Sequence, residues 1–202
     1  SAATALPRCV ATTSRTRIMC EQSDAPLGRS IALVGFMGSG KSSVGQELAS
    51  RLGWTFVDTD DIVETSAGRK ISDIFATDGE DAFRDMETAA VRTAAAQDGV
   101  VIATGGGAVL RAENIEALRA RGTVVLLATT PQSVYERVGH ETHRPLLDVP
   151  DTIARIGDLM RQRADAYARA DRSVDTVGRT VSQVADDVLD VVRGRSGTRG
   201  DR

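Results

Sequence analysis

Lysine and cysteine are both scarce in this chain. Only Lys41 and Lys70 occur among the 25 basic residues, so arginine supplies almost all the positive charge and a lysine at position 41 stands out. The two cysteines, Cys9 and Cys20, both precede the globular part. Two cysteines in a leader exclude a disulfide framework for the folded domain.

Long apolar runs and a surplus of positive charge are also missing. No apolar run approaches the roughly 18 residues that a membrane span needs, so we expect no membrane partner. The formal net charge of −3 argues against a nucleic-acid partner. The remaining composition is ordinary: 202 residues with 41% apolar and 26% charged side chains predict one domain with a proper core.

The two ends of the chain differ in composition from its middle. Residues 1–20 carry Arg8, Arg15 and Arg17 without any acid and are rich in alanine, serine and threonine. This composition is typical of an organelle transit peptide, or of an unstructured extension in which Met19 is the true initiator. We therefore expect a disordered leader or transit-peptide remnant at 1–28, a folded domain at 29–192, and a disordered tail at 193–202.

Short β-type runs alternate with helical patterns in the folded part. Val44, Leu48 and Leu52 recur at helical spacing, and valines do the same near the end of the chain. Two strands are continuous apolar runs, as expected of strands covered on both faces. The predicted strands are 30–35, 55–58, 100–104, 123–128 and 172–177. This alternation predicts an α/β fold with a mostly parallel sheet, which binds ligands at the carboxyl ends of its strands.

The stretch G-F-M-G-S-G-K-S-S at 35–43 matches the phosphate-binding pattern G-x-x-x-x-G-K-[ST] between a predicted strand and a predicted helix. Its backbone N–H groups and the helix N-terminus attract anionic oxygens. We expect Lys41 to reach the β- and γ-phosphates of a nucleoside triphosphate and Ser42 to offer a hydroxyl to Mg²⁺. The candidate nucleotide-binding residues in this loop are Gly38, Ser39, Gly40, Lys41, Ser42 and Ser43.

The loop alone leaves several classes of nucleotide-binding protein open, as well as a tight turn that binds nothing. The sequence has no G-x-G-x-x-G motif, which disfavours a dinucleotide-binding fold. It has no N-K-x-D-like signature after the later strands, which disfavours a GTPase, and the chain is short for an ATPase motor.

A pair of acidic residues follows the second predicted strand, in V-D-T-D-D. Asp58 and Asp60 are two residues apart, so on an extended chain their side chains share a face beside the glycine-rich loop. One carboxylate could hold a metal while the other accepts a proton from an alcohol. The competing interpretation is that Asp60 or Asp61 caps the following helix.

Three further features supply candidate contacts for an acceptor. Arg84 and Glu87 stand at i, i+3 on a predicted helix and can pair, with a surface ion pair as the simpler account. Phe75 and Phe83 could line an apolar wall, although ordinary core packing would explain them. Three glycines at 105–107 leave a backbone that a ligand can approach closely, or form a tight turn.

The polar stretch at 137–151, R-V-G-H-E-T-H-R-P-L-L-D-V-P-D, separates two helical patterns. Because phosphoryl transfer requires that water be kept out, we interpret this stretch as a lid that carries Arg137 and Arg144. His140 and His143 could suggest a metal, but two histidines without a third ligand make an incomplete site.

Taken in order, these motifs resemble shikimate kinase. The series is G-x-x-G-x-G-K-S, D-T-D, F-A-T-D-G-E-x-x-F-R-x-x-E, G-G-G, R-P-L-L and R-x-x-x-Y, and it runs from about residue 31 to 192. The resemblance implies a P-loop kinase of the nucleoside-monophosphate-kinase type, with a five-stranded parallel sheet flanked by helices and a lid. It implies ATP- and Mg²⁺-dependent phosphorylation of the 3-hydroxyl of shikimate, in aromatic amino acid (chorismate) biosynthesis.

The resemblance also assigns roles by position. Asp58 corresponds to the aspartate near the metal, and Asp60 to the one that binds the acceptor hydroxyl and is the candidate base. Lys41 and the lid arginine Arg144 join Asp60 as catalytic candidates, and Arg137 corresponds to an arginine near the nucleotide. The positions implied to bind shikimate are Asp60, Phe75, Phe83, Arg84, Gly105, Gly106, Gly107 and Arg163. Arginine forks suit the carboxylate of shikimate, and an aspartate suits its hydroxyls.

Two rival functions compete with this one. A gluconate kinase also acts on a polyhydroxy acid, but the D-T-D, G-G-G and R-P-L-L set argues against it. A kinase-derived regulatory protein would have lost a catalytic residue, whereas all the candidates are present. We expect a monomer that binds shikimate and ATP, in the cytoplasm of a bacterium or, if the leader is a transit peptide, in the plastid stroma.

Overall fold

The structure is a computed structural model that describes residues 28–138 and 152–194. In these residues, strands and helices alternate as predicted. The strands are β1 (Ser30–Val34), β2 (Thr55–Asp58), β3 (Val100–Ala103), β4 (Gly122–Ala128) and β5 (Arg172–Asp175). The helices are α1 (Lys41–Leu52), α2 (Thr59–Ala67), α3 (Ile71–Thr77), α4 (Gly79–Ala95), α5 (Ala112–Arg119), α6 (Pro131–Val138), α7 (Thr152–Gln162), α8 (Ala164–Tyr167) and α9 (Val181–Val192).

The five strands form one parallel sheet in the order β2-β3-β1-β4-β5. This confirms the predicted five-stranded parallel sheet. Three of the predicted strands run one or two residues too far, because the chain turns out of the sheet at Gly35, Thr104 and Thr176. Those turns lie at the carboxyl edge of the sheet, where the candidate loops meet.

Alternate residues of β1 face opposite sides of the sheet and so build two apolar layers. Ile31 and Leu33 pack against α1 and α9 on one side. Ala32 and Val34 pack against α4, α5 and α8 on the other side. Because helices cover both faces, the strands are apolar throughout, which is the pattern that the sequence shows.

The helix termini that border the candidate site have clear local causes. Asp58 ends β2 and caps α2, since its side chain accepts a hydrogen bond from the N–H of Asp60. Gly40 precedes α1 with a φ of +92°, a left-handed conformation that suits glycine. Of the helices in the described residues, none has the length and apolarity needed to cross a membrane.

Candidate active site

The glycine-rich loop joins β1 to α1 and wraps around the start of that helix. Lys41, the first residue of α1, donates from its Nζ to the carbonyl oxygens of Gly35 and Phe36, each at 2.9 Å. Its ammonium group therefore lies folded over the loop rather than in solvent. The N-terminus of a twelve-residue helix and a lysine thus meet at one point, which is an arrangement that binds phosphate.

Ser42 and Asp58 lie side by side at the edge of this loop. The Ser42 Oγ donates to Asp58 Oδ2 at 2.9 Å, and the other Asp58 oxygen accepts from the Asp60 N–H at 3.1 Å. The prediction that Asp58 and Asp60 share a face of an extended chain is wrong, because α2 begins directly after Asp58. Asp58 is the helix cap, and neither Asp60 nor Asp61 is. The two carboxylates are neighbours because the first turn of α2 folds Asp60 back.

Asp60 lies in a polar but poorly solvated position. Burial, the nearby Asp58 and Glu87 carboxylates and Asp61 raise its pKa to about 6, against the opposing influence of Lys41. Its Oδ1 atom is buried and has no hydrogen-bond partner. A carboxylate with a pKa near neutrality can accept the proton of a hydroxyl.

Arg84 and Glu87 form a buried pair on α4 rather than the surface ion pair of the simpler account. Arg84 Nη1 donates to Glu87 Oε2 at 2.8 Å, and the two side chains are 13% and 1% exposed. Burial raises the pKa of Glu87, while Arg84 opposes this shift. The Nη2 of Arg84 also donates to the exposed Glu80 at 3.0 Å, so both ends of the guanidinium fork are paired with carboxylates on α4.

The two phenylalanines form a wall beside this arginine. The rings of Phe75 and Phe83 lie 4.5 Å apart, and the guanidinium carbon of Arg84 lies 5.2 Å from the Phe83 ring centre. Phe83 is buried, whereas Phe75 is 39% exposed. Core packing therefore accounts for Phe83 but leaves the open face of Phe75 for another contact.

The three glycines after β3 bring the backbone against these side chains. A Cβ at Gly105 would lie 2.6 Å from Glu87 Oε1 and 2.8 Å from Asp60 Oδ1, and one at Gly107 would lie 2.6 Å from Arg84 Nη2. The Gly105 N–H is bonded to the Thr59 hydroxyl at 3.1 Å. The φ angles at these positions are not positive, so the backbone conformation itself does not require glycine. Glycine is required at positions 105 and 107 because a Cβ would collide with the neighbouring side chains.

Arg163 and Tyr167 approach the same turn from the other side. Arg163 Nη1 and the Tyr167 hydroxyl donate to the Gly106 carbonyl at 3.3 and 2.9 Å, and the Arg163 guanidinium lies 5.6 Å from the Phe36 ring centre. The sequence alone assigns no role to Tyr167 or to Thr59. Their only signals were the last position of R-x-x-x-Y and the central position of D-T-D.

The nucleotide side of the loop borders a cavity of about 200 Å³. Arg137 of α6 spans its rim, since its guanidinium donates to the Gly38 carbonyl at 3.1 Å and to the Thr176 carbonyl at 2.7 Å. Ser39, Gly40 and Ser43 line the floor. The predicted loop residues and Arg137 are therefore brought together around one space.

Some predicted residues cannot be placed. Arg144, His140 and His143 lie outside the described residues, as does most of the predicted lid. Within residues 28–138 and 152–194, no three histidine, cysteine or acidic side chains are arranged to hold a metal ion by themselves.

Comparison with known proteins agrees with this geometry. A model of the shikimate kinase family matches residues 37–193. A shikimate kinase of Symbiobacterium thermophilum is 49% identical over 173 residues, which cover 84% of this chain and 99% of that protein. A solved structure of an Acinetobacter baumannii shikimate kinase in complex with shikimate has a TM-score of 0.78 and 35% identity, and the match covers 85% of this chain and 96% of that chain.

A more distant structure shows why the fold alone would not decide the family. A gluconokinase from Sinorhizobium meliloti matches 85% of this chain and 94% of its own with a TM-score of 0.57, but only 21% of residues are identical. That likeness shows a shared P-loop kinase fold and nothing about the acceptor. The family match and the level of identity decide between the two kinases: the chain belongs to the shikimate kinase family.

Proposed function

We propose that this protein transfers the γ-phosphoryl group of ATP to the 3-hydroxyl of shikimate. The observation that carries the proposal is that the glycine turn packs against Asp60 at Gly105, the Arg84 fork at Gly107 and the phosphate loop at Gly106. Shikimate has one carboxylate and three hydroxyls, so it needs a cation at one end and an acceptor at the other. The structural relative solved with shikimate supports the same acceptor.

On the acceptor side, Arg84 and Arg163 bind the carboxylate, and the apolar wall of Phe75 and Phe83 contacts the ring. Asp60 accepts a hydrogen bond from the 3-hydroxyl. As that oxygen attacks the γ-phosphorus and the bond to ADP breaks, Asp60 takes the hydroxyl proton. The pKa of about 6 leaves Asp60 ionised at neutral pH, yet basic enough to accept the proton.

On the nucleotide side, Lys41 and the N–H groups of the loop hold the phosphates. The residues present fit Mg²⁺, because Ser42 Oγ and Asp58 Oδ2 lie 2.9 Å apart and supply the hard oxygen atoms that this ion prefers. Bound there with phosphate oxygens and water, Mg²⁺ would offset the negative charge of the triphosphate. Arg137 and the adjoining cavity hold the part of ATP nearest to the adenine, and Arg144 completes the site from the predicted lid.

The test is ADP release from MgATP by the full chain, with shikimate, with gluconate and with no acceptor. We expect release that depends on shikimate, and the Asp60→Asn chain controls for contaminating ATPase. Release with gluconate alone would contradict the assigned acceptor while keeping the nucleotide site. ATP binding without release in any arm would favour the regulatory alternative.

The oligomeric state and the cellular compartment of the protein are part of the same proposal. We infer that the protein is a monomer. The bacterial origin of the relatives favours the cytoplasmic alternative over the plastid stroma.

A further inference from the structure

Tyr167 belongs to the ordered motifs but has no role in the proposed reaction. Its ring lies in the apolar layer under the sheet and is 8% exposed, with Ala108 and Val109 in the same cluster. A buried phenol needs a hydrogen-bond partner, and this one donates to the Gly106 carbonyl at 2.9 Å. Burial raises the pKa of Tyr167, so the hydroxyl remains protonated and keeps its proton to donate.

We propose that Tyr167 is a positioning residue for the acceptor site, which acts by holding the Gly106 carbonyl. This carbonyl also accepts from Arg163 Nη1 at 3.3 Å. An oxygen with two lone pairs can serve both donors at once. The tyrosine therefore holds in place the atom against which a substrate-binding arginine is braced.

The planarity of the peptide group extends this effect to the glycine turn. The bond between Gly106 and Gly107 is trans and planar, so the Gly107 N–H points opposite to the Gly106 carbonyl. Fixing the carbonyl on the Tyr167 side therefore fixes the direction of that N–H. Glycines have the widest backbone freedom, so three in a row need such an external restraint more than other residues would.

The surroundings of Gly106 indicate which of the two substrates should be affected by loss of the Tyr167 hydroxyl. A Cβ at Gly106 would lie 3.4 Å from the Met37 nitrogen, so the turn also borders the phosphate loop. The loop, however, has its own restraints in Lys41 and in the first turn of α1. Loss of the Tyr167 hydroxyl should loosen the glycine turn and Arg163 while leaving the nucleotide contacts in place.

The test is Tyr167→Phe in the full chain, which removes one oxygen and keeps the ring. We expect the KM for shikimate to rise about three- to tenfold, in line with one lost hydrogen bond, while the KM for MgATP stays within about twofold. The chain has two tyrosines, so Tyr135→Phe on the exposed side of α6 is a matched control that should change neither constant. A lower Tm with both KM values unchanged would show a purely structural hydroxyl and overturn the proposal.

A second measurement does not depend on whether that variant folds. In the Tyr135→Phe chain labelled with 3-fluorotyrosine, Tyr167 gives the single fluorine resonance. Shikimate should shift this resonance and ADP should leave it in place; no shift with shikimate, or equal shifts with both, would overturn the proposal. The inference rests on the proposed function, but the two fail differently: an unmodified chain without shikimate-dependent ADP release removes the function itself.

Discussion

The buried position of Asp60 suits its proposed role as a base and costs stability. Its pKa is raised from 3.8 to about 6, so the folded state binds a proton more tightly than the unfolded state does. The stability gained from protonated Asp60 is present at low pH and is lost as the pH rises through the interval from about 4 to about 6. Above that interval, the folded protein carries a charged carboxylate that would be better solvated in the unfolded chain.

Asp60→Asn should therefore stabilise the protein at pH 7.5 by about 1 to 3 kcal/mol, with little difference at pH 4. The same substitution should lower turnover by about 100-fold or more while leaving ATP affinity intact. Urea denaturation without Mg²⁺ or nucleotide at the two pH values measures the first effect. Asp61→Asn, on the exposed side of α2, is the control. A less stable Asp60→Asn protein at pH 7.5 would show that the carboxylate is structural.

Arg84→Lys tests the acceptor fork without leaving the buried Glu87 carboxylate unpaired. Lysine keeps the positive charge but loses the planar pair of donors that matches a carboxylate. We expect the KM for shikimate to rise about 10- to 100-fold and the KM for MgATP to stay within about twofold. Arg92→Lys is the matched control, because Arg92 also lies on α4 and forms an exposed ion pair with Glu113 of α5. An unchanged KM for shikimate would remove Arg84 from the site.

At the scale of one element, the turn after β3 depends on the absence of side chains. In Gly107→Ala, the new Cβ would overlap the end of Arg84, which is flexible and can move aside. The expected result is a shikimate KM raised at least about tenfold with only a small change in Tm. Gly157→Ala in α7 is the control, because its Cβ would make ordinary contacts of 3.5 Å and longer. A large loss of Tm with an unchanged KM for shikimate would mean that the glycines of the turn serve stability rather than substrate binding.

The elements themselves were predictable because their signals are local. The apolar runs at 100–104 and 123–128 favour strands covered on both faces, and β3 and β4 both lie inside the sheet. The arrangement of Asp58 and Asp60 could not be predicted, since it depends on whether a helix starts at Thr59. The hydrogen-bond partner of Tyr167 could not be predicted either, because Gly106 lies 61 positions away in the sequence and only the folded layers bring the two together.

At the scale of the molecule, the sheet order explains why these loops converge. The first strand lies in the centre, with β3 on one side and β4 on the other. The connections that follow the neighbouring strands β1 and β3 run to opposite faces of the sheet. A crevice opens between these connections at the carboxyl edge. The phosphate loop follows β1, the acidic pair follows β2 and the glycine turn follows β3, so donor and acceptor groups meet along three adjacent strands.

The domain limits predicted from the sequence imply that the ends of the chain are dispensable. The described strands and helices and both apolar layers lie between residues 30 and 192. A chain trimmed to residues 28–194 should keep its Tm within about 2 °C and its kcat/KM for shikimate within about twofold, because both ends have the composition of disordered segments. The full chain, prepared in parallel, is the control. A tenfold fall in kcat/KM with an unchanged Tm would mean that an end of the chain reaches the site, and a large fall in Tm would mean that the domain extends beyond 29–192.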